Sequence, residues 1–194
     1  MIARLAKNIS SFFVTNNIIK SEDKEVYDYS LEIMLSTILN GLVVLLIAIL
    51  TRSFLLSIVY LVGFLPLRGM AGGYHAKTHF RCMLVLLFTY SAFLLVIKFI
   101  PQNAVVYSLA VSVLLSFLLI FILAPVEDKN KPLSEKEVKK LKKKSRVAVA
   151  VYTVAIVVIF LLLPNKLYAL ALSLGVLSVA LSLFASVIKN KITK

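Results

Sequence analysis

The sequence predicts an all-α polytopic membrane protein with about six transmembrane helices, an N-terminal amphipathic interfacial helix and both termini cytoplasmic. Three observations carry that expectation. Of 194 residues, 60% are apolar and only 16% charged, against roughly 45–50% apolar in soluble domains. A core of this size cannot bury so much apolar surface. The apolar residues fall into six runs, and the positive charges gather in alternate connections between them. The same numbers exclude a disordered chain, which needs low hydrophobicity and high charge. The single cysteine, Cys82, excludes an intrachain disulfide framework and a multi-cysteine metal centre.

The first twenty residues lack the apolar run of a cleavable signal. Ile2, Leu5, Ile9, Phe12 and Phe13 recur at helical spacing with Arg4 and Lys7 between them. This predicts an amphipathic helix within 1–20, lying on a membrane surface or packed on the rest of the protein. Ser21 is expected to cap a second helix, with Glu22 and Asp23 favouring its first turn.

The apolar runs are Ile33–Leu50, Ser53–Leu67, Met83–Ile100, Ala104–Ala124, Val147–Leu163 and Leu167–Ile188. A crossing takes about 20 residues. The second run is short and ends at Pro66, as a thin crossing or a re-entrant piece. Charge decides in favour of a crossing. With six crossings, only Arg52, Lys98 and Lys166 of the 22 basic residues fall outside, as the positive-inside bias requires. The outer turns Thr51–Arg52, Pro101–Asn103 and Pro164–Lys166 are short, so the helices they join are antiparallel neighbours.

Two inner loops remain. In 125–146, Pro125 and Pro132 interrupt helix, and Ser134 with Glu137 forms a capping box that starts a helix running into the fifth segment. Lys139, Lys140, Lys142, Lys143 and Lys144 make this loop strongly cationic. They suit anchoring on anionic lipid and docking of an acidic partner or substrate. No aromatic residues interleave as stacking platforms, which disfavours nucleic acid.

The other inner loop, 68–82, reads R-G-M-A-G-G-Y-H-A-K-T-H-F-R-C and holds His75, His79 and Cys82, both histidines and the only cysteine. An imidazole can take the proton of a thiol that attacks as thiolate, and Arg68, Lys77 and Arg81 favour the charged form. In an unbroken helix His75 and Cys82 rise about 10.5 Å apart, too far for a hydrogen bond. His79 and Cys82, three apart, share a face. Either His79 is the partner, or the chain folds back near Gly72–Gly73, whose backbone freedom permits it. Spacing does not choose between the histidines. A metal site is disfavoured by the absence of any carboxylate in the loop, and no cofactor is expected. The plain alternative is a packed cysteine beside interfacial histidines.

The string R-G-x-x-G-G-Y-H-A-x-x-x-x-R-C, followed by A-P-V-E-D-x-N-K-P-L-S at 124–134, resembles the accessory gene regulator B (AgrB) family of membrane peptidases, and the resemblance covers essentially the whole chain. It implies a cysteine endopeptidase of the bacterial plasma membrane with its active site on the cytoplasmic side. Its substrate would be an AgrD-like precursor peptide, cut through an acyl-enzyme thioester. A cysteine or serine of the peptide then closes a thiolactone or lactone ring, giving an autoinducing peptide for quorum sensing. By that match Cys82 is the nucleophile and His75 the general base, with Arg68 and Gly73 as supporting positions. The resemblance names no third catalytic residue; Glu127 or Asp128 of the other inner loop is a candidate to orient His75. The five lysines of 139–144 are the expected docking surface for an acidic tail of the precursor. A homodimer is compatible with the family, although no G-x-x-x-G motif lies within an apolar segment. The whole chain, 1–194, is expected to form a single integral membrane domain. The rival from another class is a non-catalytic peptide-export or scaffold protein; the near absence of ionisable residues in the apolar runs argues against a polar transport path.

Overall fold

The computed structural model describes residues 2–71, 79–126 and 134–192. They form seven α-helices, and no strand occurs among the described residues. The chain divides into two compact units at Leu50/Thr51, considered separately below.

In the first unit, α1 (Ile2–Thr15) precedes a 3-10 turn (Ser21–Asp23) and α2 (Lys24–Leu50). The amphipathic pattern of α1 divides as helical periodicity requires. Ala6 and Ser10 are buried, while Leu5 and Phe12 stay exposed. Ser10 donates to the Asp28 carboxylate on α2, and Lys24 pairs with the same carboxylate at 3.1 Å. Thus α1 is packed on α2 through its small residues and also keeps an outward apolar face. It ends in a Schellman turn: Asn17 adopts φ 55°, Ile18 N–H bonds the Phe13 carbonyl at 2.9 Å and Asn17 N–H that of Val14 at 3.0 Å. Ser21 does not cap as expected. Lys20 holds the N-cap position, without a side-chain cap, and the acidic pair Glu22–Asp23 sits in the 3-10 turn that leads into α2.

The second unit contains α3 (Phe54–Ala71), α4 (His79–Phe99), α5 (Gln102–Leu123), α6 (Glu135–Leu162) and α7 (Leu167–Ile192). With α2, the helices α3, α5, α6 and α7 are long and apolar enough to cross a membrane, and α4 adds a shorter apolar stretch, Met83–Phe99. This is the expected all-α polytopic fold. The short segment does not stop at Pro66: α3 continues through it to Ala71. Its 18 residues span about 27 Å at 1.5 Å per residue, close to the roughly 30 Å hydrocarbon core. Pro66 has no N–H to give the carbonyl four residues back, and that carbonyl, of Val62, accepts instead from the Tyr152 hydroxyl of α6 at 2.7 Å.

Helix α7 is central. It touches α3, α4, α5 and α6, and half of its most apolar stretch is buried, more than in any other span. In lipid, helices associate through close packing and interhelical hydrogen bonds rather than through a hydrophobic drive, and the interior follows that rule. A Cβ on Gly175 would lie 2.3 Å from the Tyr60 carbonyl oxygen, and one on Gly63 would lie 2.8 Å from that of Leu172, so α3 and α7 meet backbone to backbone. Tyr60 donates to Ser178 at 3.0 Å and stacks on Phe93 at 4.4 Å between ring centroids. Ser57 and Tyr90 share a bond of 2.7 Å, and Ser112 donates to Ser173 at 2.8 Å.

The helix ends at Pro125 and Ser134 are where the sequence placed them. Ala124 is extended, as the residue before Pro125 should be. Ser134 accepts from Glu137 N–H, and its own N–H donates to the Glu137 carboxylate at 2.9 Å, completing the capping box. Lys166 closes the far end of α6, donating to the carbonyls of Phe160 and Leu163, where a cation complements the helix dipole.

Candidate functional site

The end of α3 and the chain just after α5 are joined by a backbone hydrogen bond. The Val126 N–H, just after α5, donates to the Ala71 carbonyl, the last residue of α3, at 3.2 Å. The segments that follow these two residues are 72–78 and 127–133. His75 and Gly73, and with them Glu127 and Asp128, lie outside the described residues. The bond nevertheless fixes the two points from which those segments depart.

Cys82 is the fourth residue of α4, and His79 is the first. The first turn of a helix carries unsatisfied N–H groups and the positive end of its dipole. His79 and Cys82 are on one helix, three residues apart, as the spacing argument requires.

Arg68 is in the last turn of α3 and is half-buried. Its guanidinium donates to the Ser182 hydroxyl on α7, and Ser182 in turn donates to the Val179 carbonyl at 2.8 Å. This ties a positive charge to the central helix one turn before the loop that holds His75. Sequence reasoning did not single out Ser182. A signal was present: Ser178, Ser182 and Ser186 recur every four residues in a largely apolar helix, where a hydroxyl meets no water and seeks a protein partner. Ser186, one turn further, is buried and its hydroxyl has no partner among the described residues.

Lys139, Lys140, Lys142, Lys143 and Lys144 are all exposed on the first three turns of α6. That end of α6 is held to α5 by Arg146, whose guanidinium lies 4.2 Å from the Phe121 ring centroid and donates to the Phe121 carbonyl at 3.3 Å. Ser145 and Val149 are buried beside it. The lysines therefore stand on a fixed helix rather than on a free loop.

The model of the accessory gene regulator B family matches residues 6–184. An AgrB-like protein of Clostridium beijerinckii is 27% identical over 143 residues, covering 73% of this chain and 71% of that one. AgrB-like protein 2 of Clostridium perfringens (strain 13 / Type A) is 26% identical over 177 residues, covering 88% and 83%. A further AgrB-like protein, of Clostridium perfringens (strain SM101 / Type A), is 28% identical over 158 residues, covering 78% and 74%. No solved structure matches. A match that runs from within α1 into α7 and takes in the segments 68–82 and 125–146 leaves one conclusion: the chain belongs to the accessory gene regulator B (AgrB) family, whose members take part in the processing of quorum-sensing peptides.

Proposed function

We propose that this protein is a membrane cysteine endopeptidase that cuts an AgrD-like precursor and permits its cyclisation. The observation that carries the reading is the position of Cys82 in the first turn of α4. It closes the string R-G-x-x-G-G-Y-H-A-x-x-x-x-R-C in a chain of this family.

In this reading the Cys82 thiol gives its proton to the imidazole of His75, and the thiolate attacks the scissile carbonyl carbon. The C–N bond breaks, the leaving amine takes the proton from the imidazolium, and the peptide remains on Cys82 as a thioester. A thiol or hydroxyl within the bound peptide then attacks the same carbon. It gives its proton to His75, the Cys82 sulfur leaves as thiolate, and the ring closes as a thiolactone or lactone. Exchange of one thiol for another is nearly balanced in energy, so the thioester retains what ring closure needs. Exclusion of water protects it from hydrolysis to a linear product, and a site at the membrane face of the bundle supports that exclusion. Arg68, held by Ser182, and Gly73 serve as supporting positions. The exposed lysines 139, 140, 142, 143 and 144 are a cationic docking surface for an acidic tail of the precursor. With six crossings, the positive-inside bias supports a cytoplasmic side for the two loops and both termini.

The test uses purified protein in liposomes with the precursor encoded beside its gene, followed by peptide mass. Cleavage and a covalent adduct are expected in wild type and lost in Cys82→Ala. Cleavage is expected to fall in His75→Ala and survive in His79→Ala. A dead His79→Ala variant would keep the reaction class and move the base to His79. Full cleavage by Cys82→Ala would overturn the enzyme reading in favour of a peptide-export or scaffold protein. Charge reversal across Lys139–Lys144 is expected to raise KM for the precursor more than it lowers kcat.

A further inference from the structure

The five lysines do not share one face of α6. Lys140, Lys143 and Lys144 line a groove of about 700 Å³ together with Met70 of α3 and Val147, Ala148, Val151 and Tyr152 of α6. Lys139 and Lys142 are not among its lining residues. At 100° per residue they lie toward the side of α6 that carries Arg146 and faces α5. The groove runs between two helices. Near its deep end they are joined by the Tyr152 hydroxyl on the Val62 carbonyl. Its outer end is marked by Met70, one residue before α3 stops.

The lining changes character along its length. Lys140, Lys143 and Lys144 occupy the first turns, and Val147, Ala148, Val151 and Tyr152 continue the same stripe over the next two. The change falls between Lys144 and Val147, where α6 passes from its charged extension into its apolar span. Val147 and Val151 are exposed, so the apolar half of the groove opens to the surroundings of the bundle. The occupant that satisfies both halves has an anionic group at one end and an apolar chain of several ångströms beyond it.

We propose that this groove is a site for one anionic phospholipid, its phosphate against Lys140, Lys143 and Lys144 and an acyl chain along Val147 and Val151. An acidic peptide segment would answer the lysines and leave the valines and Ala148 against polar backbone. A lipid matches charge with charge and hydrocarbon with hydrocarbon. The site divides the cationic stretch into two surfaces, Lys140, Lys143 and Lys144 toward lipid and Lys139 and Lys142 on the side that carries Arg146. It leaves the Cys82 chemistry as proposed and narrows the docking surface for an acidic tail to Lys139 and Lys142.

The experiment compares two double variants that remove the same charge, K140Q/K143Q and K139Q/K142Q, with wild type. Each full-length protein, in detergent, is titrated with dioleoyl phosphatidylglycerol, and bound lipid is counted by native mass spectrometry. Dioleoyl phosphatidylcholine serves as the zwitterionic control. One retained phosphatidylglycerol is expected in wild type and in K139Q/K142Q. Affinity is expected to fall about tenfold or more in K140Q/K143Q. Equal loss in both variants would overturn the site in favour of diffuse charge attraction. Equal retention of phosphatidylcholine would overturn it as well. So would displacement of the lipid by hexaglutamate, which would make the groove a site for acidic peptide.

Discussion

The Tyr152 hydroxyl donates to the Val62 carbonyl at 2.7 Å, and that carbonyl is available because Pro66 stands four residues on. A proline in a helix interior leaves such an acceptor without its usual partner, and in a membrane no water replaces it. One side chain of α6 thus repairs the defect in α3 and joins the two helices. Tyr152→Phe is expected to lower stability by about 1–2 kcal/mol, the cost of an acceptor left unmade where no water reaches it. In a Pro66→Ala background the new N–H takes the carbonyl, and the same substitution is expected to cost close to nothing. The check is a double-mutant cycle from denaturant unfolding in detergent. Equal cost in both backgrounds would show that Pro66 and Tyr152 are not coupled.

The bond from Val126 N–H to the Ala71 carbonyl, 3.2 Å long, sets the departure points of both inner loops. Val126→Pro removes the donor, whereas Val126→Ala keeps it. If the Proposed function holds, Val126→Pro is expected to lower cleavage of precursor by about fivefold, the equivalent of about 1 kcal/mol for one hydrogen bond. Val126→Ala should stay within about twofold. Both are measured in liposomes at matched protein insertion. Equal rates for the two variants would mean that the relative position of the loops does not matter to turnover.

Much of this arrangement was legible in the residues. The six apolar runs, the capping box at Ser134–Glu137 and the interruption at Pro125 rest on local rules, hydropathy and backbone chemistry, that act within a few residues. They reappear with nearly the expected bounds. Ser21 was misjudged because a good capping side chain does not dictate which residue begins the turn. The Lys20 backbone took the cap, and Glu22 and Asp23 formed a 3-10 turn. Pro66 read as a terminus because its cost is local, whereas its remedy, Tyr152, lies 86 positions away and is supplied only by tertiary structure. Ser182 was invisible for a similar reason: it matters through the Arg68 guanidinium, 114 residues distant in sequence. The pairing of His75 with Cys82 came from resemblance and not from spacing. His75 lies outside the described residues, so that pairing rests on the proposed chemistry and its variants.

Arg68 and Ser182 form a second testable pair. The guanidinium is a planar donor fork, and a lysine in its place keeps the charge and loses the geometry. If the Proposed function holds, Ser182→Ala is expected to lower kcat about threefold to tenfold with little change in KM, since its contact is with the Arg68 guanidinium. Arg68→Lys is expected to fall further, and the double variant to be no worse than Arg68→Lys alone, as coupled groups behave. Additive losses in kcat would show that Ser182 acts through packing and not through Arg68.

The close approach of α3 and α7 gives the most direct stability test, because two glycines make it and two others serve as controls. Gly63→Ala sets a methyl 2.8 Å from the Leu172 carbonyl oxygen, and Gly175→Ala sets one 2.3 Å from that of Tyr60. Both obstacles are backbone, which cannot rotate aside as a side chain can, so each helix must move. Each substitution is expected to cost about 1–3 kcal/mol, the usual penalty of overpacking, with Gly175→Ala the greater because its contact is shorter. Gly41 and Gly69 have nothing within 4 Å of the same position. There the greater helix propensity of alanine should act alone, for a gain of up to about 1 kcal/mol. Unfolding of all four variants in one detergent measures the pattern. A loss at Gly69 equal to that at Gly175 would mean that glycine matters here for backbone freedom rather than for helix contact. No loss at Gly175 would mean that α3 and α7 do not meet backbone to backbone.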